Sequence, residues 1–262
     1  EEEMPETTPL YIRLRAKLAS GSTCYSNTIQ TTVKPYFAVL VAADPELWYL
    51  IGACVGDGSW GSEIGTAVYP MSPVEGGDFN DETGRGPLTF TGYFTPDLGF
   101  KIVRVPGEWA DQWGGVDGSI DNPKRKDDSG EGGDFKVPVA GYYRIDLNTN
   151  TNELTFTALD EDPKEYSQML VSGDFNGWAT DVQMTPCDTY NGARPHVWMY
   201  DISTTDGTGF KFLVDSSWNP NWGNSTFPFG WGVGNGPNIP VGAGDYRVIF
   251  NDITGYYHFF NK

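Results

Sequence analysis

The sequence predicts an all-β protein made of tandem β-sandwich modules, preceded by the terminal hairpin of an immunoglobulin-like or fibronectin-like β-sandwich. The composition is the first observation: the chain has 33 glycines and 18 prolines in 262 residues, well above the usual share, and 15% aromatic residues. The second is a series of short strand-like runs between Gly, Pro and Asn turns, without a long amphipathic helical pattern. The third is an internal repeat of four sequence blocks in the same order.

The first predicted element is a hairpin. In YIRLRAKL (11–18), apolar residues from Ile12 to Leu18 alternate with three basic residues, which predicts one half-buried strand. NTIQTTVK (27–34) follows a Gly/Ser turn and predicts the partner strand. Two strands alone are only marginally stable. We therefore expect residues 1–38 to be the C-terminal strands of a larger sandwich whose earlier strands lie outside this sequence.

The remaining chain contains the repeat, which predicts module one at 39–160 and module two at 161–262. An acidic segment with one proline, LDEDPKEY (159–166), predicts a short semi-rigid connection. GDFN occurs at 77–80 and 173–176, but at positions that are not equivalent, so we interpret the first copy as a loop coincidence. The paired blocks are WYLIGACVGDGSW (48–60) with QMLVSGDFNGW (168–178), MSPV (71–74) with MTPC (184–187), GFKIVRVPGEWADQWGG (99–115) with GFKFLVDSSWNPNWGN (209–224), and GYYRIDLNTNTNELTFTAL (141–159) with GDYRVIFNDITGYYHFF (244–260).

Charge narrows the possible ligands. The net charge of −18 disfavours nucleic acid and anionic membrane surfaces, so the expected ligand is neutral or cationic. No apolar run approaches the ~20 residues of a transmembrane helix, and the acidic first ten residues do not have the pattern of a signal peptide. The three cysteines are expected to be small buried side chains rather than a disulfide framework or a zinc site.

The sequence does not predict an enzyme. His196 and His258 are far apart and lie in or beside strand-like runs, and no GxSxG, HExxH or P-loop motif occurs. The acidic loops 76–84 and 125–134 do not have EF-hand spacing, which favours solvated loops over Ca²⁺ sites. We expect no catalytic residues, no cofactor and no metal.

Tryptophans in polar loops are the main candidates for ligand binding. They are Trp60, Trp109 and Trp113 in module one and Trp178, Trp218 and Trp222 in module two. Such residues either cap the sandwich or meet a ligand, and their repetition favours a shared role. Stacking a sugar ring on indole contributes about 1.5 kcal/mol, and two angled indoles match the curvature of an α-1,4-glucan. Lys101, Lys211 and Asn238 are candidates for binding sugar hydroxyls, although the lysines are equally compatible with outward-facing strand residues.

Module two resembles the glycogen-binding modules of AMP-activated kinase β-subunits, because GDFNGW, FKFLVDSSW and GPNIPV follow in that family's order. The resemblance implies that Trp178, Lys211, Trp218 and Asn238 contact the sugar. The whole chain resembles the SusE/SusF group of starch-binding outer-membrane lipoproteins of Bacteroidetes. That resemblance implies non-catalytic carbohydrate binding to starch-like α-glucans (maltooligosaccharides) at the extracellular face of the outer membrane. It also implies attachment through a lipid anchor outside this chain, and other outer-membrane glycan-uptake proteins as partners.

Module one departs from this pattern. It has GDGSW in place of GDFNGW, Asp134 in place of Asn238, and the charged insertion DNPKRKDDSGEGG (121–133). Its site is therefore expected to be altered, weaker or lost. The alternative function is a protein–protein assembly module of an outer-membrane glycan-uptake complex, because aromatic loops also suit protein interfaces.

Overall fold

The computed structural model describes residues 7–19, 21–34 and 42–262. The chain divides into two compact units, Glu1–Ala42 and Ala43–Lys262. Antiparallel strands dominate the described residues, with two short 3-10 helices at Val116–Gly118 and Asp174–Asn176. The all-β prediction is confirmed.

The first unit contains two short antiparallel ladders. Its strands are β1 (Thr8–Ile12), β2 (Arg15–Lys17), β3 (Thr23–Tyr25) and β4 (Ile29–Val33). β1 pairs with β4 and β2 pairs with β3, so the ladders form one interrupted hairpin.

The interruption corrects the prediction of a single half-buried strand over 11–18. Between β1 and β2, the Leu14 N–H donates to the Ser26 hydroxyl (2.8 Å) instead of to a strand partner. Side chains on both faces of the hairpin are exposed, including Leu14 and Ile29. The reason is that no second layer of strands covers these ladders among the described residues of this unit. Residues 1–6, 20 and 35–38 of the predicted domain lie outside the described residues.

The first half of the second unit, residues 43–160, consists of two facing sheets. Its strands are β5 (Tyr49–Gly52), β6 (Val68–Pro70), β7 (Ser72–Pro73), β8 (Pro87–Phe94), β9 (Phe100–Val103), β10 (Gln112–Gly115), β11 (Pro123–Arg125), β12 (Gly141–Asn148) and β13 (Glu153–Ala158). The sheet orders are β11-β10-β9-β5-β6 and β13-β12-β8-β7. Aromatic rings fill the core between them, and Phe94 of one sheet stacks on Phe100 of the other with 4.6 Å between ring centroids.

The second half, residues 161–262, has the same plan. Its strands are β14 (Leu170–Gly173), β15 (Val182–Gln183), β16 (Thr185–Pro186), β17 (Val197–Thr204), β18 (Thr208–Leu213), β19 (Asn221–Gly223), β20 (Phe229–Trp231), β21 (Val233–Gly234), β22 (Ile239–Val241), β23 (Gly244–Asn251) and β24 (Tyr256–Asn261). The sheet orders are β15-β14-β18-β19-β21, with β22 also on β18, and β16-β17-β23-β24-β20. Phe212 and Phe250 stack between these sheets at 4.1 Å.

The recurring sequence blocks lie on corresponding strands of the two halves. β5 corresponds to β14, β9 and β10 to β18 and β19, and β12 and β13 to β23 and β24. The GDFN at 173–176 follows the end of β14, whereas the GDFN at 77–80 lies in the loop between β7 and β8. The two copies are therefore not equivalent, as predicted. The module boundary at residue 160 stays a prediction, because both halves belong to one compact unit.

Buried contacts join the two halves. Residues of the second half that belong to the core of the first are Cys187, Val197 and Ile249. At this join, the Asp188 carboxylate accepts hydrogen bonds from the Gly56 N–H (2.9 Å) and the Tyr69 hydroxyl (3.0 Å). Packing therefore holds the halves together in addition to the connection at 159–166.

All three cysteines are free thiols. Cys54 and Cys187 are buried, as the sequence predicted, whereas Cys24 is exposed on the hairpin. The prediction was wrong for Cys24 because the hairpin residues around it have no covering layer within the described part of their unit.

Candidate functional site

Two tryptophan pairs lie at corresponding positions of the two halves. The ring centroids of Trp60 and Trp109 are 6.2 Å apart and their planes are tilted by 40°. Those of Trp178 and Trp218 are 6.0 Å apart and tilted by 39°. All four rings are partly exposed, and Trp109 retains 39% of its accessible surface. Each pair therefore presents two angled indole faces to solvent.

The backbone at three of these tryptophans is left-handed. The φ angles are 61° at Trp60, 63° at Trp178 and 62° at Trp218. A bulky residue in this conformation costs on the order of 1–3 kcal/mol, and such strain is concentrated at functional sites. The turns after β5, after β14 and after β18 thus hold indoles where glycine or asparagine would be less strained.

A lysine and an amide support the first pair. Lys101 on β9 donates to Gln112 Oε1 (2.8 Å) and to the Gly132 carbonyl (2.9 Å). Gln112 Nε2 in turn donates to the Trp109 carbonyl (2.7 Å) and to Glu131 (3.0 Å). The Lys101 ammonium is almost entirely buried and also lies 3.7 Å from Glu131. Two of its three N–H donors are therefore hydrogen-bonded within the protein, and Glu131 is its ion-pair partner.

The same network supports the second pair. Lys211 on β18 donates to Asn221 Oδ1 (2.9 Å) and to the Gly236 carbonyl. Asn221 Nδ2 donates to the Trp218 carbonyl (2.7 Å) and to Asn235 Oδ1 (2.7 Å). An ammonium group has three N–H donors, and the described residues provide hydrogen-bond acceptors for two of those of Lys211. Burial lowers the pKa of Lys211.

Strand alternation separates this network from the core. Gln112 and Asn221 face the tryptophan pairs, so the next residue on each strand points to the opposite face. That residue is Trp113 in the first half, which lies in the core and is only 5% exposed. In the second half it is Trp222, which contacts Phe250 with 5.6 Å between centroids. Both were predicted as binding residues. Trp113 is buried and Trp222 is partly buried against the core, so we leave both out of the proposed site.

The first pair borders a shallow cleft of about 300 Å³. We name it the first cleft; its lining residues are Trp60, Lys101, Trp109, Gln112, Glu131 and Asp134. Asp134 is exposed and follows directly after the Glu131 loop. The structure thus brings the predicted residues Trp60, Lys101 and Trp109 to one place. Asp134, which stands in the order of Asn238, lies beside them.

The second cleft is the corresponding surface around Trp178, Trp218, Lys211 and Asn238. The Asn238 amide and the Trp178 ring both lie close to Gly209. A methyl group added to Gly209 would lie 3.4 Å from Asn238 Nδ2 and 3.1 Å from the indole, so both side chains border the same small space. Asp174 holds the ring in place, because one of its oxygens accepts the Trp178 indole N–H (2.9 Å) and the other accepts the Gly209 N–H (2.7 Å).

Sequence reasoning missed three supporting residues: Gln112, Asn221 and Asp174. Gln112 and Asn221 each follow the second tryptophan of their pair by three positions, and this recurring amide was a signal in the aligned blocks. Asp174 lies in the GDFNGW segment, but nothing in that segment indicated a bond to the Trp178 ring.

The histidines lie away from both clefts. His196 is buried at the join, with Nε2 3.0 Å from the Tyr142 hydroxyl and Nδ1 2.7 Å from the Asp252 carboxylate. His258 lies on β24, and burial lowers its pKa to about 4. In the described part of the chain, no group of three or more His, Cys, Asp and Glu side chains is placed to hold a metal ion.

The fold and the clefts define an all-β protein with two repeated aromatic surfaces. No family model and no curated protein sequence matches the chain. Among solved structures, it is similar to "SusF from Bacteroides thetaiotaomicron", with a TM-score of 0.31 and 17% sequence identity. The match covers 97% of this chain and 58% of that one, so this chain spans little more than half the length of its structural neighbour. The function is therefore inferred from the clefts themselves.

None of the helices in the described residues has the length and apolar character needed to cross a lipid bilayer.

Proposed function

We propose that this protein binds starch-like α-glucans without cleaving them, by stacking glucose rings on the Trp60–Trp109 and Trp178–Trp218 pairs. One observation carries the proposal: both halves present two partly exposed indoles at a similar tilt, beside a hydrogen-bonded lysine–amide network. Successive rings of a curved α-1,4 chain turn relative to each other and so match tilted planes. A flat β-1,4 chain matches coplanar rings better.

The energetics suit a weak repeated site. A stacked glucose ring buries enough apolar surface to contribute about 1.5 kcal/mol, so two rings in one cleft contribute about 3 kcal/mol before hydrogen bonds are counted. Sugar hydroxyls then find the third N–H of Lys211 and the Asn238 amide in the second cleft, and the Asp134 carboxylate in the first. The net charge of −18 favours such uncharged ligands over anionic ones. Surface attachment and assembly with other glycan-uptake proteins stay predictions from the sequence resemblance.

The test is calorimetry with maltoheptaose. Trp178→Ala and Trp218→Ala should each weaken binding at the second cleft by about tenfold, because each removes roughly 1–2 kcal/mol of stacking. Tyr11→Ala, which removes an exposed ring from the hairpin, is the matched control and should leave affinity unchanged. Both variants should keep the far-ultraviolet circular dichroism of a folded protein apart from the indole contribution.

Gel retardation separates the proposed ligand from other glycans. Amylopectin should slow the protein more than hydroxyethyl cellulose does. Equal retardation by both polymers, or full affinity in both tryptophan variants, would contradict the proposal. Retention of a protein partner without any retardation by amylopectin would instead favour an assembly module.

A further inference from the structure

We propose that the second cleft continues into a groove that binds additional glucose units of a longer chain. This inference rests on the proposed function and extends it to a second subsite. The groove has a volume of about 570 Å³, within the usual range for ligand sites. Ser203, Thr204, Thr205, Thr208, Asp174 and Asp245 line it.

The groove and the second cleft share a residue. Asp174 lines the groove, and its oxygens accept the Trp178 indole N–H and the Gly209 N–H. Thr208, the residue before Gly209, also lines the groove. A chain that leaves the Trp178 ring on this side therefore meets the groove directly.

The polar groups of the groove suit a ligand that donates hydrogen bonds. The Ser203 hydroxyl donates to Asp245, the Thr204 hydroxyl to the Gly242 carbonyl, and the Thr208 hydroxyl to the Thr205 carbonyl. Each hydroxyl proton is thus used inside the protein, and the oxygens remain as acceptors. Among the described residues, two carboxylates and no cation line the groove. A polyhydroxylated, uncharged ligand matches this surface, whereas an anionic ligand is repelled.

The internal repeat shows that the groove is specific to the second half. In the strand registers, Ser203 pairs with Asp245 where the first half pairs Tyr93 with Tyr142. That tyrosine pair is covered: the Arg194 guanidinium lies 4.3 Å from the Tyr93 ring. In the first half this position forms part of the join, whereas in the second half small polar residues leave it open.

The experiment compares maltotriose and maltoheptaose in the full chain, with Trp60→Ala and Trp109→Ala present throughout to silence the first cleft. Ser203→Tyr fills the groove with the side chain that the first half has at this position. It should weaken maltoheptaose binding about threefold to tenfold, the equivalent of one or more lost hydrogen bonds. Maltotriose, which the indoles accommodate, should bind unchanged.

Ser203→Ala with Thr205→Ala tests the groove without filling it and should weaken maltoheptaose in the same direction. Thr157→Tyr, at an exposed position of β13, is the matched control and should have no effect. Unchanged maltoheptaose affinity in both groove variants, with Trp178→Ala still weakening it, would overturn the groove and leave the proposed function intact. If the parent protein binds neither oligosaccharide, the proposed function itself fails.

Discussion

Asn221 is a single buried side chain that ties three parts of the second cleft together. Its oxygen accepts from Lys211, and its nitrogen donates to the Trp218 carbonyl and to Asn235. It is 6% exposed, so it holds the cleft rather than contacting a ligand. Because Trp218 has left-handed backbone, the bond to its carbonyl is one of the contacts that keep the indole at its angle.

Asn221→Ala should therefore weaken maltoheptaose binding at the second cleft about threefold to tenfold, as the loss of hydrogen bonds implies. Asn221→Gln should retain most of the affinity, because Gln112 fills this role in the first half. The measurement is calorimetry together with the exciton signal of the Trp178–Trp218 pair in circular dichroism. A purely structural loss would lower stability without changing that signal, and an unchanged signal in Asn221→Ala would contradict the positioning role.

The sequence predicted which residue types form the clefts, but it predicted less well what each residue does there. Trp60, Trp109, Trp178 and Trp218 stood out because bulky rings in polar turns need a reason. The buried Lys101 could not be distinguished from an exposed strand lysine, since its partners, Gln112 and the Gly132 carbonyl, come from another strand and a distant loop.

At the level of elements, β10 and β19 each carry a polar residue on one face and an indole on the other. Sequence reasoning grouped Trp113 and Trp222 with the loop tryptophans. Both lie on strands of only three or four residues, which are too short to be recognised by alternation. Similarly, the alternation in 11–18 predicted one strand, and the break at Leu14 depends on a bond to Ser26 across the hairpin. Periodicity locates strands, but contacts from distant segments decide where short ones begin and end.

The core position of Trp113 leads to a stability prediction. Its indole N–H is buried without a hydrogen-bond partner in the described residues. Trp113→Ala should lower the free energy of unfolding by about 3–5 kcal/mol through the cavity it leaves. Trp113→Phe also removes the unpaired N–H, which costs about 1–3 kcal/mol when buried, and so should lower stability much less. Urea unfolding checks both, and equal losses in the two variants would contradict this prediction.

For the whole molecule, the join between the halves contains a titratable group. Burial raises the pKa of Asp188 from its ordinary 3.8 to about 7, although the Gly56 N–H and the Tyr69 hydroxyl act in the opposite direction. Between these values the folded protein holds a proton that the unfolded chain has released. Stability is therefore highest at the acidic end of this window and falls as pH rises to about 7.

Asp188→Asn should remove this dependence, because the amide keeps an oxygen for the same two donors but does not titrate. The difference in unfolding free energy between the variant and the parent should change by up to about 1.4 kcal/mol per pH unit within the window and become constant above it. Urea unfolding across the window measures it. A difference that does not vary with pH would show that Asp188 is ionised in the folded protein throughout.

The shared core at the join has a consequence for how the two clefts work together. Two sites on a flexible tether meet at a concentration that the tether length sets. Here Cys187, Val197 and Ile249 are packed into the first half, so the distance between the clefts is fixed when the chain folds. Under the proposed function, the fixed spacing within Ala43–Lys262 means that the protein loses no conformational entropy when the second cleft binds another turn of the same glucan. Only polymers whose helical pitch matches this spacing gain affinity from having two clefts.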